Sequence, residues 1–258
     1  MRSKEMFELI DRLAPFALSR TYCEATGGYD NSGLLVDCGG EFESVLFSLD
    51  LSAAAVDRAK EIGAGLIVTH HPAIYAPLKN LTPEGAGSNV LAAAKAGISV
   101  LSAHLNLDTA AGGIDESLMH GLGGESALAL YERAGDGAYG RVFDVEEMPL
   151  AGYAARIRET FGTERLVVYG DRPVKRVASF CGAGMEEGSI AFALQNGADT
   201  FVSSDPKHHL VAMAVEGGMN VLILTHYAAE NYGFYRFFER VKRSVSIQCA
   251  YFVDARLL

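Results

Sequence analysis

Leu66-Ile67-Val68-Thr69-His70-His71-Pro72 is a short apolar run that ends directly on two imidazoles and a proline. Leu66-Ile67-Val68 reads as a buried strand, which puts both histidines at its carboxyl end. The same arrangement recurs twice. Ile98 to Ala103 runs into His104-Leu105-Asn106-Leu107-Asp108, and Val221 to Leu224 runs into Thr225-His226. Helical segments alternate with these strands. Val45 to Leu49 precedes Ser52, a plausible N-cap, and the alanine-rich helix Ala53 to Ile62; a helix around Val90 to Ala96 follows. Strand, helix, strand in this order is the signature of parallel sheet covered by helices.

The second half keeps the rhythm. Strands Val177 to Cys181, Thr200 to Ser203 and Val221 to Leu224 alternate with helices Ser189 to Asn196 and His209 to Val215, and a long helix runs from about Tyr227 to Val241. Phe7, Leu9, Ile10, Leu13 and Phe16 recur at helical steps and predict an opening amphipathic helix. Gly123-Gly124 through Gly140 is glycine-bearing with few large apolar residues, and reads as a join. The expected class is therefore α/β: a first lobe over 1–124, a linker over 125–140 and a second lobe over 141–258, suggesting two halves of similar layout.

Composition narrows the function. The 258 residues include 49% hydrophobic and 21% charged, an ordinary globular balance. With 32 Asp+Glu against 22 Lys+Arg the formal charge is −10, which argues against a broad nucleic-acid surface while leaving room for a small nucleotide whose phosphates a metal ion offsets. Cys23, Cys38, Cys181 and Cys249 are scattered, suggesting neither a zinc ribbon nor a disulfide framework. A reducing cytoplasm is the expected location. The first 18 residues lack the apolar core of a signal peptide, and no run reaches the ~18 apolar residues of a membrane span.

Ligands in open parallel sheets bind at the carboxyl ends of the strands, where these histidines stand. Imidazoles with carboxylates are the ligand set of zinc, manganese, iron or nickel. His226 and Glu230, four apart at a helix start, project from one face and can serve one metal centre. His104 and Asp108 share that spacing in a loop of undetermined shape. Adjacent His70 and His71 would point opposite ways if extended, but a turn at Pro72 could bring each to a different ion of a pair. His120 and His208 read as ordinary hydrogen-bonded residues. Asp205, Lys207 and His209 form a second polar cluster: Lys207 could meet a phosphate and His209 could move protons. A capped helix start, with Asp205 near the N-cap and Pro206 in the first turn, explains them equally well. Gly182-Ala183-Gly184 reads as a tight turn more than an anion cradle.

Nearly the whole chain resembles the Nif3-like family, some of whose members carry the name type 2 GTP cyclohydrolase I. The resemblance lies in Tyr29-Asp30-Asn31-Ser32-Gly33-Leu34, in Leu66 through Pro72 with Pro77-Leu78-Lys79, and in Ser102 through Asp108. Ala198-Asp199 through His209 and Thr225-His226-Tyr227-Ala228-Ala229-Glu230 complete it. It implies a fold of two related α/β lobes with mainly parallel sheets, and a site holding two divalent ions per chain, carried onto His70, His71, Asp108, His226 and Glu230. His104 matches a family histidine that either ligates or orients a ligand. The resemblance also implies dimers that close into a hexameric ring. Tyr29, Leu105 and Thr225 stand where the family often has tryptophan, threonine and glycine.

Two ions sharing these ligands favour hydrolysis, with His104 or His209 as general acid or base. The first expectation is a metal-dependent hydrolase of a small nucleotide or related heterocycle; GTP ring opening is the candidate that the family names. A non-enzymatic metal-binding or regulatory protein is the alternative. A metal-free nucleotide-binding domain ranks last, because Val45 to Leu49 leads into Asp50-Leu51-Ser52 rather than a glycine-rich turn.

Overall fold

A computed structural model describes residues 1–258, which fall into two compact units: Met1–Ala110 with Phe234–Asp254, and Ala111–Gly233 with Ala255–Leu258. The first unit opens with α1 (Ser3–Leu13) and α2 (Phe16–Thr26). One continuous opening helix is thus replaced by two, because Pro15 disfavours helical geometry at Ala14, whose φ and ψ are −148° and 83°. Phe7 and Phe16 pack across the break, their rings stacked at 4.5 Å.

There follow β1 (Gly33–Val36), β2 (Ser44–Ser48), α3 (Ala53–Glu61), β3 (Leu66–Thr69), α4 (Ser88–Lys95), β4 (Ser99–Ser102) and the short α5 (Leu105–Thr109). The second unit holds α6 (Ile114–Gly121), β5 (Ala129–Ala134), β6 (Gly137–Met148), α7 (Leu150–Phe161), β7 (Leu166–Tyr169), β8 (Val174–Ser179), α8 (Glu187–Gln195), β9 (Thr200–Ser203), α9 (His208–Glu216) and β10 (Asn220–Leu224). The last elements are α10 (His226–Lys242) and β11 (Gln248–Phe252). No helix is long and apolar enough to cross a membrane.

In the first sheet the order is β1-β4-β3-β2-β11, and every pairing except β1 with β4 is parallel. Register decides what this edge carries. Ser48 pairs with Thr69 and Thr69 with Ser102, so β2, β3 and β4 end level and the residues just beyond them share one edge: Asp50, His70 with His71, and His104. Leu46, Ile67 and Val100 bury one face of the sheet against Val56 and Ala59 of α3 and Ala93 of α4. Phe47 on the other face meets Phe238 at 5.3 Å and Phe234 at 6.0 Å between ring centroids. Ser52 caps α3 by accepting a hydrogen bond from the Ala55 amide at 3.1 Å. Ser52→Ala should lower stability by about 1 kcal/mol, read as a shifted urea midpoint at unchanged slope.

The second sheet runs β5-β6-β8-β9-β10-β7. Its centre, β8, β9 and β10, is parallel, but β5 with β6, β6 with β8 and β7 with β10 are antiparallel. The mainly parallel description therefore suits the first sheet, and the second is mixed. Here too the parallel strands end nearly level, Ser179 beside Val202 and Ser203 beside Ile223. Gly182, Asp205 and His226 follow them.

The boundaries also differ from those read in the sequence. The expected linker over 125–140 contains β5 and the start of β6, joined through Gly135 at φ 56°. Gly140 answers a packing need, since a Cβ there would lie 2.2 Å from the Phe180 ring. At the other end, the chain from Phe234 to Asp254 belongs to the first unit, because β11 adds a parallel strand beside β2.

Candidate metal centre

Within the first unit, three histidines gather at the sheet edge. The amides of His70 and His71 both donate to the Leu49 carbonyl, at 3.1 and 3.0 Å, while the Thr69 hydroxyl donates to the His71 carbonyl. The chain therefore turns at the end of β3 and does not run on extended. The two rings come to 5.0 Å of each other instead of pointing apart, and His104 lies 5.2 and 5.9 Å from them. His104 is the N-cap of the short α5 and Asp108 lies within it, with Asp108 N donating to the His104 carbonyl; the loop of undetermined shape is a helix.

The partners of the imidazole nitrogens carry the chemistry. His70, fully buried, places Nδ1 2.8 Å from the Ala103 carbonyl oxygen. A carbonyl only accepts, so Nδ1 bears the hydrogen and a neutral ring keeps its lone pair on Nε2. That nitrogen lies 3.4 Å from Oδ1 of buried Asp108. His71 Nδ1 meets Asp50 Oδ1 at 2.6 Å, and His104 Nδ1 meets Asp30 Oδ1 at 2.7 Å. Single donor atoms of His70, His104 and Asp108 all lie within 4.8 Å of one another.

Asp30 is itself braced. Ser19 and Ser32 donate to its Oδ2 at 2.6 and 2.5 Å, and Ser32 Oγ accepts from the His104 amide. Burial pushes the Asp30 carboxyl upward, but the hydrogen bond and charge of His104 and the two hydroxyls outweigh it, holding the group well below the usual carboxylate range.

The second unit repeats the device once. His226 opens α10, with Nδ1 2.7 Å from Asp205 Oδ2 and Nε2 2.9 Å from Oε2 of buried Glu230. The expected one-face pair is therefore present. Asp205 has φ 48°, the one non-glycine residue in the left-handed region. The N-cap of α9 is Lys207, so Asp205 serves His226 and not the helix start. His209 stands exposed on the first turn of α9, outside the hydrogen-bonded chain of Asp205, His226 and Glu230. His120 bonds the Gly124 carbonyl, and His208 is exposed on α9.

Gly182 lies against the same pair. At φ 57°, a Cβ there would sit 2.6 Å from Glu230 Oε1 and 3.3 Å from His226 Cε1. Its turn is tight, as expected, but the tightness makes room for two side chains. Gly182→Ala should lower stability by about 1–2 kcal/mol from the left-handed backbone alone and displace the Glu230 carboxylate, which combined urea titration and metal content would show.

His70, His71, His104 and His226, the histidines at the strand ends, thus turn Nδ1 to an oxygen acceptor, as His120 does away from them; in metal-ligating histidines this contact fixes ring tautomer and orientation. Imidazole nitrogens beside buried carboxylates suit a borderline transition-metal ion, so the residues of each unit fit such a group. Asp30 and Asp50 escaped the sequence reading. Asp50 stands two residues beyond β2, at the edge where His70 and His71 follow β3, so the strand-end rule that selected the histidines would have selected it too.

Residues 1–254 match the family model Duf34/NIF3 (NGG1p interacting factor 3). The chain belongs to the DUF34/NIF3 family. Among similar proteins, a Clostridium perfringens protein named GTP cyclohydrolase 1 type 2 homolog is 28% identical over 98% of this chain and 96% of its own. A Helicobacter pylori protein named GTP cyclohydrolase 1 type 2 is 29% identical over 88% and 86%. The NIF3 fold is shared with the Staphylococcus aureus hypothetical protein SA1388, at TM-score 0.85 and 23% identity over 98% and 96% of the two chains. Reduced HcgD from Methanocaldococcus jannaschii superposes at TM-score 0.79 with 26% identity over 97% of each.

Proposed function

We propose that this NIF3-family protein binds a pair of divalent metal ions through His70, His71, Asp108, His226 and Glu230, and uses them to hydrolyse a small nucleotide or related heterocycle. The observation that carries the proposal is the common fate of the imidazoles. In each unit an Nδ1 is engaged by a carbonyl or carboxylate, and an Nε2 is turned to a buried carboxylate, Asp108 in one and Glu230 in the other. Burying carboxylate charge costs free energy, and a cation bound at the imidazole and carboxylate atoms of each pair would offset part of that cost.

Bound divalent ions supply Lewis acidity and bring the pKa of a coordinated water toward neutrality. The chain contributes orientation and proton handling. Asp50 and Asp205 hold the rings of His71 and His226 in one tautomer. His104, fixed through Nδ1 by Asp30, takes or returns a proton at Nε2. His209 is a second candidate for proton transfer, from its exposed position on α9. The substrate class comes from the relatives' names, among them GTP cyclohydrolase 1 type 2.

Two measurements test the reading. Elemental analysis of protein purified without chelator or nickel resin should find divalent metal in each chain. A panel of nucleotides and phosphoesters with added manganese, zinc or iron should be turned over by the wild type and not by His71→Ala. Equal turnover by both would remove the enzyme claim, and metal-free protein that cannot be loaded would remove the site.

A further inference from the structure

We propose that Tyr29 and Tyr75 form a stacking platform for the planar ring of a heteroaromatic small molecule, of purine size, beside His104 in the first unit. The inference deepens the proposed function, and rests on it for what lies next to the platform. Both tyrosines are large apolar side chains left in water, 53% and 52% exposed. They pack edge to face, with centroids 5.6 Å apart and planes at 90°. In such a pair the ring that offers its edge keeps both faces clear of its partner. Tyr75 stands in the same relation to His104, at 6.4 Å and 85°.

The platform is built and not merely exposed. Asn31 Nδ2 donates to the Ile74 carbonyl at 2.5 Å, and the Tyr75 hydroxyl donates to the Tyr29 carbonyl at 3.3 Å, so the two loops hold one another. The first loop is also tied to His104, through Asp30 on its ring and Ser32 on its amide. Rigid aromatic rings bind with little ordering cost, and stacking accepts any flat heterocycle because each has a π-face. A ring laid against Tyr75 would lie beside His104, whose ring centroid is 6.4 Å from that of Tyr75.

The chain contains no tryptophan, so Tyr29→Trp places one fluorophore on the platform and keeps a stacking ring. It would be titrated with inosine and with ribose, which lacks the ring, after metal removal and again after manganese reloading, with metal content measured on each sample. Calorimetry on wild-type protein would check that the reporter has not created the site. Inosine should quench the emission saturably and ribose should not. Adding Tyr75→Ala should weaken inosine binding about tenfold or more at unchanged metal content, and Tyr75→Phe should retain most of the affinity. Ring-selective binding by protein that takes up no manganese would sink the metal site and leave the platform standing. An equal response to inosine and ribose, or full inosine affinity in the Tyr75→Ala variant, would overturn the platform whatever the metal content.

Discussion

Manganese or zinc added to the metal-free wild-type protein should raise its unfolding midpoint, and the same addition to Glu230→Gln should leave the midpoint nearly unmoved. A ligand that binds only the folded state stabilises it by about 2.7 kcal/mol at a hundred times its dissociation constant, an amount easily read in a thermal or urea melt. Glutamine preserves the shape of the Glu230 side chain and removes its charge. Glu230 is 2% exposed and its Oε2 lies 2.9 Å from His226 Nε2; the glutamine amide can donate to that nitrogen while the cost of burying an ion is removed, so the metal-free variant should unfold about as readily as wild type. The two readouts therefore separate: folding is spared while the metal response is lost.

The loss of affinity should exceed that caused by a supporting partner. Removing the second partner of a ligating histidine typically costs about 10–100-fold in metal affinity, which is the range expected of Asp205→Asn, since Asp205 touches His226 through Nδ1. Glu230→Gln should lie beyond that range. An undiminished metal-induced shift in Glu230→Gln would take Glu230 out of the ligand set.

The largest effect on stability should come from Asp115→Ala, at about 3–5 kcal/mol. Asp115 is fully buried in the second unit, where its carboxylate accepts from the Arg141 guanidinium, from Gly140 N at 3.0 Å and from Cys181 N at 3.2 Å. Arg141 is only 4% exposed. Truncating Asp115 leaves the Arg141 guanidinium only the more distant Glu116, at 3.6 Å from Nη2, and takes an acceptor from two amides. Cys181 immediately precedes Gly182, the residue packed against His226 and Glu230, so the same change loosens the support of the candidate site. Equilibrium urea unfolding gives the stability, and a double replacement of Asp115 and Arg141 by apolar residues should recover part of it, since it removes the buried cation together with its main partner. Single-variant stability within about 1 kcal/mol of wild type would show that this pair is solvated in solution.

Local chemistry was legible in the residues. Apolar runs at 66–68 and 221–224 became β3 and β10, Ser52 became the cap of α3, and His226 with Glu230 met on one helix face. Each depends on a few consecutive residues, whose spacing and hydrogen-bonding groups act within one or two turns. The hairpin across 125–140 was legible in principle as well. Gly135-Asp136 between β5 and β6 is a hairpin turn signal, masked by the surrounding glycines, of which Gly140 exists to clear Phe180.

By itself, then, the sequence determined the α/β alternation, the strand ends that bear histidine and the family, because these follow from short-range periodicity and motif. Only the tertiary structure decided that β11 lies parallel to β2, that the second sheet is mixed, and that Asp30, Asp50 and Asp205 grip His104, His71 and His226. Those contacts join residues 21 to 74 positions apart, and which distant carboxylate meets which ring is set by the register of strands that no local pattern encodes.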